Sequence, residues 1–466
     1  MSQLWKRCTR CALSALACLG IVAAIAGCAQ QDTRTVVTVW SWEPSMSAVA
    51  RSFEAANPDV RIDIKDTSGY DNLNSAIQDG YGLPDVVQLE YYALPQYAVS
   101  EQLLDLTDRV DGYEGDYTPG TWSSVQLNNR VYGVPMDSGP MAFFYNQYVF
   151  EEAGIDATQI RTWDDYYMAA KKLKQIGVYI AADSGDASFY NAMIWLAGGR
   201  PYSTSQDGRT VNVDFTNDVG TRTFTSFWQK MIDEGLVDTH LTTWSDQWQE
   251  ALGAGKVASV FSGAWFPSLL LADVPGTAGL WRVSQMPTVN GSTAGAEMGG
   301  SALGVLQSSR KPDAAFRFVE YACHDPDGIR IRVAGGAFPA DTASLNADNF
   351  LSRTTIRDAR GIDIPYFGGQ EFNEVFSAAA ERVSVGYQYL PFEVYARSDF
   401  RSTMGQAYSW SRQRQALDEA QERKAAGFKD VQLPENPGVK VALSQGLELW
   451  QKDLKEYAIN QGFTVQ

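Results

Sequence analysis

The stretch VVTVWSWEPSMSAVARSFEAANPDVRIDIK, residues 36–65, sets the reading of the whole chain. Val36–Trp40 is an unbroken β-rich apolar run, the pattern of a strand covered on both faces. After a turn at Ser41–Pro44, Met46, Val49, Ala50 and Phe53 fall at i, i+3, i+4 and i+7 on one helix face. Asn57-Pro58 stops that helix, and Val60, Ile62 and Ile64 alternate through a second strand. A weaker helix around Leu73 and Ile77 leads to a third strand, Asp85–Glu90. Strand–helix repetition without disulfides predicts a parallel sheet, wound right-handed, with helices on both faces. Ligands of such sheets lie beyond the carboxyl ends of the strands. Those ends are Trp40–Glu43, Asp66–Tyr70 and Glu90–Tyr92, rich in aromatic rings and carboxylates.

The alternation continues downstream. Arg130–Pro135 precedes an apolar strand, Met141–Tyr145, and Asn146 is a good cap for the helix that follows. Thr162-Trp163-Asp164-Asp165 has the form of a capping box, with Asp in place of Glu. Tyr166, Ala169, Ala170, Leu173 and Ile176 form that helix's predicted buried face. Phe224, Phe227, Trp228 and Met231 mark another helix, and Lys256–Phe261 and Glu297–Leu306 two more strands. Pro312 opens a helix through Tyr321, and the C-terminal region reads as helical, with Leu447, Trp450, Leu454 and Tyr457 on one face. No internal repeat and no long linker interrupt the chain.

Composition narrows the function. Of 466 residues, 45% are hydrophobic and 20% charged, enough for sizeable cores. Acids outnumber bases 55 to 38, a net charge of −17 that argues against nucleic acid as a partner. The two histidines, His240 and His324, leave little room for a histidine-rich metal site, and neither a metal nor a cofactor is expected. Lys6, Arg7 and Arg10 open a leader whose uncharged run, Ala12–Gly27, is shorter than the span of about 20 residues a membrane helix needs. It ends in Ile25-Ala26-Gly27-Cys28, which resembles the lipobox of bacterial lipoproteins. That resemblance implies lipid, palmitate included, on Cys28 after removal of the signal peptide at 1–27, and residues 28–35 as a tether. Cys323 is the one cysteine beyond the leader, so no disulfide forms within the body of the chain.

Seven pieces in one order carry a second resemblance: Val39-Trp40-Ser41-Trp42; Phe53–Val60; Pro84–Val87; Tyr132–Pro135 with Phe144–Asn146; Gly255–Ala258 with Gly263-Ala264-Trp265; Met298–Ser301; and Gly335–Pro339. Together they resemble the extracellular sugar-binding lipoproteins of ATP-binding-cassette importers, the maltose-binding-like solute-binding proteins. The resemblance implies a two-lobe α/β fold of the type II-like periplasmic-binding class, each lobe a mostly parallel sheet flanked by helices. The lobes would be 36–143 with 299–342, and 144–298 with 343–466. Three hinge crossings would fall near Phe143–Asn146, near Ala296–Gly300 and after Phe338. An oligosaccharide would be captured between the lobes and handed to membrane permease subunits, by a monomer lipid-anchored on the extracytoplasmic face.

The candidate contacts follow from sugar chemistry. Flat aromatic rings cover the C–H faces of sugars, and carboxylates or amides pair with the hydroxyls. Trp42 and Glu43 sit in the turn after the first strand, and Glu90 and Tyr91 end the third. Asp137 faces the hinge, Trp195 lies in a second-lobe segment, and Ser301 follows the glycine pair. Trp265 matches the family's stacking tryptophan. Phe338, Tyr366 and Gln370 complete the set. The rival reading is a lipid-anchored glycoside hydrolase, which needs two carboxylates roughly 5 to 10 Å apart. Glu43 with Glu90 is one such pair, without specificity in a chain so rich in acids.

Overall fold

The computed structural model describes residues 32–67 and 69–466; Cys28 and the remaining leader, with the lipid-attachment reading, lie outside the described residues. Seven strands build one sheet: β1 (Thr35–Trp40), β2 (Val60–Lys65), β3 (Val86–Glu90), β4 (Val134–Asn146), β5 (Ser259–Gly263), β6 (Trp281–Gln285) and β7 (Glu297–Val305). Their order is β5-β4-β7-β3-β1-β2, with β6 also paired to β4. The first three strands are parallel, as their helical connections require. A mostly parallel sheet in each lobe is not found, because β7 runs antiparallel to β3 and β4, and β5 and β6 run antiparallel to β4. β4 carries the chain into the second lobe and β7 brings it back, so these neighbours must oppose each other.

β4 is one continuous strand of 13 residues where the sequence suggests a break around Asp137–Pro140. It pairs with β7 from Val134 to Pro140, then with β5 and β6 from Met141 to Asn146. Pro140, which has no N–H to donate, sits where the partners change. β7 is irregular across Glu297–Ala302, where Gly299 and Gly300 adopt φ of +97° and +90°. A side chain at Gly300 would place its Cβ 2.5 Å from the Tyr91 ring.

Three hydrophobic cores flank this sheet. One draws on Val37–Met136 and Ala302–Ala340 and defines the first lobe. The other two lie on opposite faces of β4 in the second lobe. Met141, Phe143 and Tyr145 point into one, Ala142 and Phe144 into the other. Alternation along a strand buried on both faces therefore produces an apolar run with no polar beats.

Local signals behave as their chemistry dictates. Met46, Val49, Ala50 and Phe53 are the buried residues of Met46–Ala56. Thr162 and Asp165 cap each other reciprocally at the start of Trp163–Gln175, and the Asn146 side chain accepts from the Val149 N–H at 3.3 Å. Ile176 is a correction: it lies past the helix end and is 40% exposed. The strand expected from Lys256 begins at Ser259, because the preceding residues make the connection from helix Asp246–Gly253. The C-terminal helices Glu393–Thr403, Gly405–Ala425 and Leu443–Asn460 pack onto the second lobe, with Trp450 stacked on Phe215 at 4.5 Å. No helix among the described residues is long and apolar enough to cross a membrane.

Candidate functional site

The ends of β1 and β3 meet the hinge strands through a chain of side-chain bonds. The Ser41 hydroxyl and the Trp42 N–H both donate to Gln88 Oε1, at 2.7 and 3.1 Å. Gln88 Nε2 donates to Ser301 Oγ at 3.0 Å, and Ser301 donates to Asp137 Oδ1 at 2.5 Å. Burial pushes the Asp137 carboxyl up to about 6, opposed by the Ser301 hydrogen bond and reinforced by the nearby Glu43 charge. Glu43 accepts from the Ser45 hydroxyl at 2.7 Å, which holds the turn in which Trp42 lies half-buried. On the adjoining hinge residue, burial pushes Glu297 up to about 7, although the Ser138 and Thr121 hydroxyls both donate to it.

A run of rings crosses from one lobe to the other. In the first lobe the Tyr70 hydroxyl bonds Glu90, donating to Oε2 at 3.2 Å and accepting from its N–H at 3.0 Å. Tyr70 stands edge-on to Tyr92 at 5.9 Å, and Tyr92 meets Tyr389 of the second lobe at 6.5 Å. Tyr389 leads on to Tyr387 at 5.3 Å, which stacks flat on Trp195 at 4.7 Å. The Arg397 guanidinium lies 3.5 Å above the Tyr92 ring, a cation–π contact joining the two lobes. Its Nη1 donates to Ser188 Oγ at 2.7 Å, and Nε reaches Glu393 at 3.5 Å. Burial holds the Glu393 carboxyl up at about 7 despite this cation. Beside these groups opens a cleft of about 1110 Å³, with Glu90 and Tyr92 on one wall and Asp186, Ser188, Trp244 and Arg397 on the other.

Trp265 sits just past β5, at the residue before helix Phe266–Asp273. Gly263 and Gly299 make room for it, and its indole N–H donates to the Met298 carbonyl at 2.6 Å. The ring is half-buried and tilted against Trp244 at 5.6 Å. It therefore touches the hinge directly and keeps part of its surface exposed.

The structure brings Trp42, Glu43, Glu90, Asp137 and Trp265 to the strand ends and the hinge with part of their surface free. Tyr91, Trp195 and Ser301 are buried there and act on neighbours: Tyr91 donates to the Asp137 carbonyl at 2.7 Å, and Trp195 donates to the Ser384 carbonyl at 2.8 Å. Three expectations are corrected. Tyr366 has no exposed surface, and its hydroxyl is taken up by Val274 and Thr277. Phe338 is packed between Phe350 and Phe376 in the second lobe's outer core. Gln370 spans the Val283 backbone with both amide atoms, at the end of β4 away from β7. None of the three offers a face to the cleft.

Sequence reasoning missed Tyr92, Trp244, Tyr389 and Arg397. Tyr92 had a signal, since alternation through the strand end puts it with Glu90 and opposite Tyr91. Trp244 had one as well, a lone ring in a polar turn. Arg397 had none, because only folding brings it beside Tyr92.

A family model described as bacterial extracellular solute-binding protein matches residues 40–323, more than half the chain. The lactose-binding protein of Rhizobium radiobacter is 30% identical over 336 residues, covering 68% of this chain and 75% of that protein. A solved structure, the ABC transporter associated binding protein from B. animalis subsp. lactis Bl-04 in complex with β-1,6-galactobiose, is 45% identical with a TM-score of 0.77. That match covers 93% of this chain and 100% of the other. The sugar-binding protein MalE of Xanthomonas citri shares the fold at 20% identity, with a TM-score of 0.66 over 92% of this chain and 98% of that one.

Proposed function

Because the chain belongs to the bacterial extracellular solute-binding protein family, we propose that it captures a β-galactoside oligosaccharide between its lobes and delivers it to the permease of an ABC importer. The family consists of binding receptors, so paired carboxylates such as Glu43 and Glu90 serve sugar hydroxyls and not bond cleavage. The observation that carries the sugar class is the 45% identity, over 93% of the chain, to a protein solved with β-1,6-galactobiose. The lactose-binding relative, whose sugar also contains galactose, points the same way. The site chemistry agrees: Tyr92 and Trp244 bring rings from both lobes to the cleft, and Glu90 and Arg397 beside them offer partners for hydroxyls. The separate cores support two lobes close to the division expected from the sequence, 36–143 with 299–342 and 144–298 with 343–466, except that Met141, Ala142, Phe143 and Phe338 pack into second-lobe cores.

A sugar contacting both lobes favours closure by its differential affinity for the closed form. Closed lobes joined by the ligand are what the permease reads. Calorimetry against galactose, lactose and β-1,6-galactosides of two to four rings tests this. Micromolar or tighter binding of an oligosaccharide is expected, and tightest binding to galactose itself overturns the oligosaccharide class. The Cys28 lipobox supports attachment to the membrane by more than one acyl chain, since a single chain holds only marginally. Cys28→Ala is expected to leave an unlipidated precursor, and normal membrane retention of that variant overturns the anchor.

A further inference from the structure

Trp244 breaks two rules at once. Its backbone is left-handed, with φ of +72°, a conformation that a bulky residue rarely adopts and that Gly or Asn would take more easily. Its indole is also 38% exposed, so core packing does not repay the strain. The turn around it is rigid. Ser245 donates to the Thr242 carbonyl through its N–H at 3.1 Å and its hydroxyl at 2.7 Å, and the same hydroxyl accepts from the Trp248 N–H at 3.3 Å. One side of the indole is fixed by Trp248 at 5.1 Å, Trp265 at 5.6 Å and Phe266 at 5.8 Å. The remaining surface lines the inter-lobe cleft opposite Glu90 and Tyr92.

Trp244 lines that cleft and Trp265 does not, so the cleft is space outside the surface that Trp265 covers. Trp265 lies against the hinge, and Trp244 continues the aromatic surface from it toward the cleft wall. We propose that Trp244 is a specificity-determining residue whose free face stacks on a sugar ring beyond the pair bound near Trp265, selecting chains of three or more rings over disaccharides. This inference rests on the sugar-binding reading above. A planar ring held in a fixed turn gives a contact at little entropic loss, and hydrogen-bond direction plays no part in it.

The test is calorimetry of wild type, Trp244→Gly and Trp244→Phe with β-1,6-galactobiose and β-1,6-galactotriose. Glycine accepts the left-handed backbone, so the variant loses the ring and not the turn. Wild type is expected to bind the triose more tightly. Trp244→Gly should raise the triose Kd about tenfold and the biose Kd by less than about threefold. Trp244→Phe should recover most of the difference. Equal losses on both sugars, or none on the triose, overturn the outer-ring platform alone. Wild type failing to bind either sugar overturns the β-galactoside reading and this inference with it.

Discussion

Replacing Gly300 with alanine probes the hinge more sharply than any change to a sugar contact. Two penalties add there. The backbone has φ of +90°, which for an L-residue costs about 1–2 kcal/mol. The new methyl would also lie 2.5 Å from Tyr91 Cε2 and 2.8 Å from Cδ2. That ring is 1% exposed, and its hydroxyl is tied to the Asp137 carbonyl at 2.7 Å, so it cannot swing aside without breaking a bond. Overpacking of this kind costs about 1–3 kcal/mol. Gly300→Ala should therefore lose about 2–5 kcal/mol of stability, read as a lower urea midpoint at unchanged slope. Gly369→Ala is the control. Gly369 has a φ of +85°, but a methyl added there would meet nothing within 4 Å, so only the backbone penalty of about 1–2 kcal/mol applies. If Gly300→Ala is no worse than Gly369→Ala, the Tyr91 ring yields and is not the fixed wall described above.

Trp265→Ala should weaken sugar binding on the order of 100-fold by calorimetry, from lost stacking and lost buried area. Trp265→Phe should fall between the two, since it keeps a ring but loses the bond to the Met298 carbonyl. Tyr366→Phe should cost about 1 kcal/mol of stability and leave sugar affinity unchanged, because its hydroxyl serves only the core. Glu297 is raised in the fold from 4.5 to about 7, so its contribution to stability is full below about pH 4.5 and lost as pH rises through 7. Melting curves at pH 5 and pH 8 should show a smaller difference for Glu297→Gln than for wild type, and an equal difference would refute the assignment.

The first lobe was legible because its rules are local. Val36–Trp40 needs no partner to read as a buried strand, and Met46–Phe53 needs none to read as a helix face. β4 was not, because the apolar run that reads as a strand begins only at Met141, and Val134–Pro140 becomes strand when β7 pairs alongside it. Pairing overrides propensity there. The site divides the same way. Trp42, Glu90 and Trp265 announce themselves at strand ends, while Tyr389 comes from the irregular segment before helix Glu393–Thr403 and Arg397 from that helix, and both meet Tyr92 only by packing. Phe338 and Tyr366 show the converse. An aromatic near glycines looks free in sequence and is core in space.

β4 has a mechanical consequence. Val134 and Met136 belong to the first lobe's core, Met141, Phe143 and Tyr145 to one core of the second, and Ala142 and Phe144 to the other. A single length of backbone thus threads all three, like a rod through three bearings. Order in one lobe's core therefore depends on a strand that the other lobe's cores also hold. The two lobes thereby share one strand, and a chain severed between Pro140 and Met141 would part Val134–Pro140 from its partner β7 on the other piece, while β5 and β6 stay with the half they pair to, Met141–Asn146.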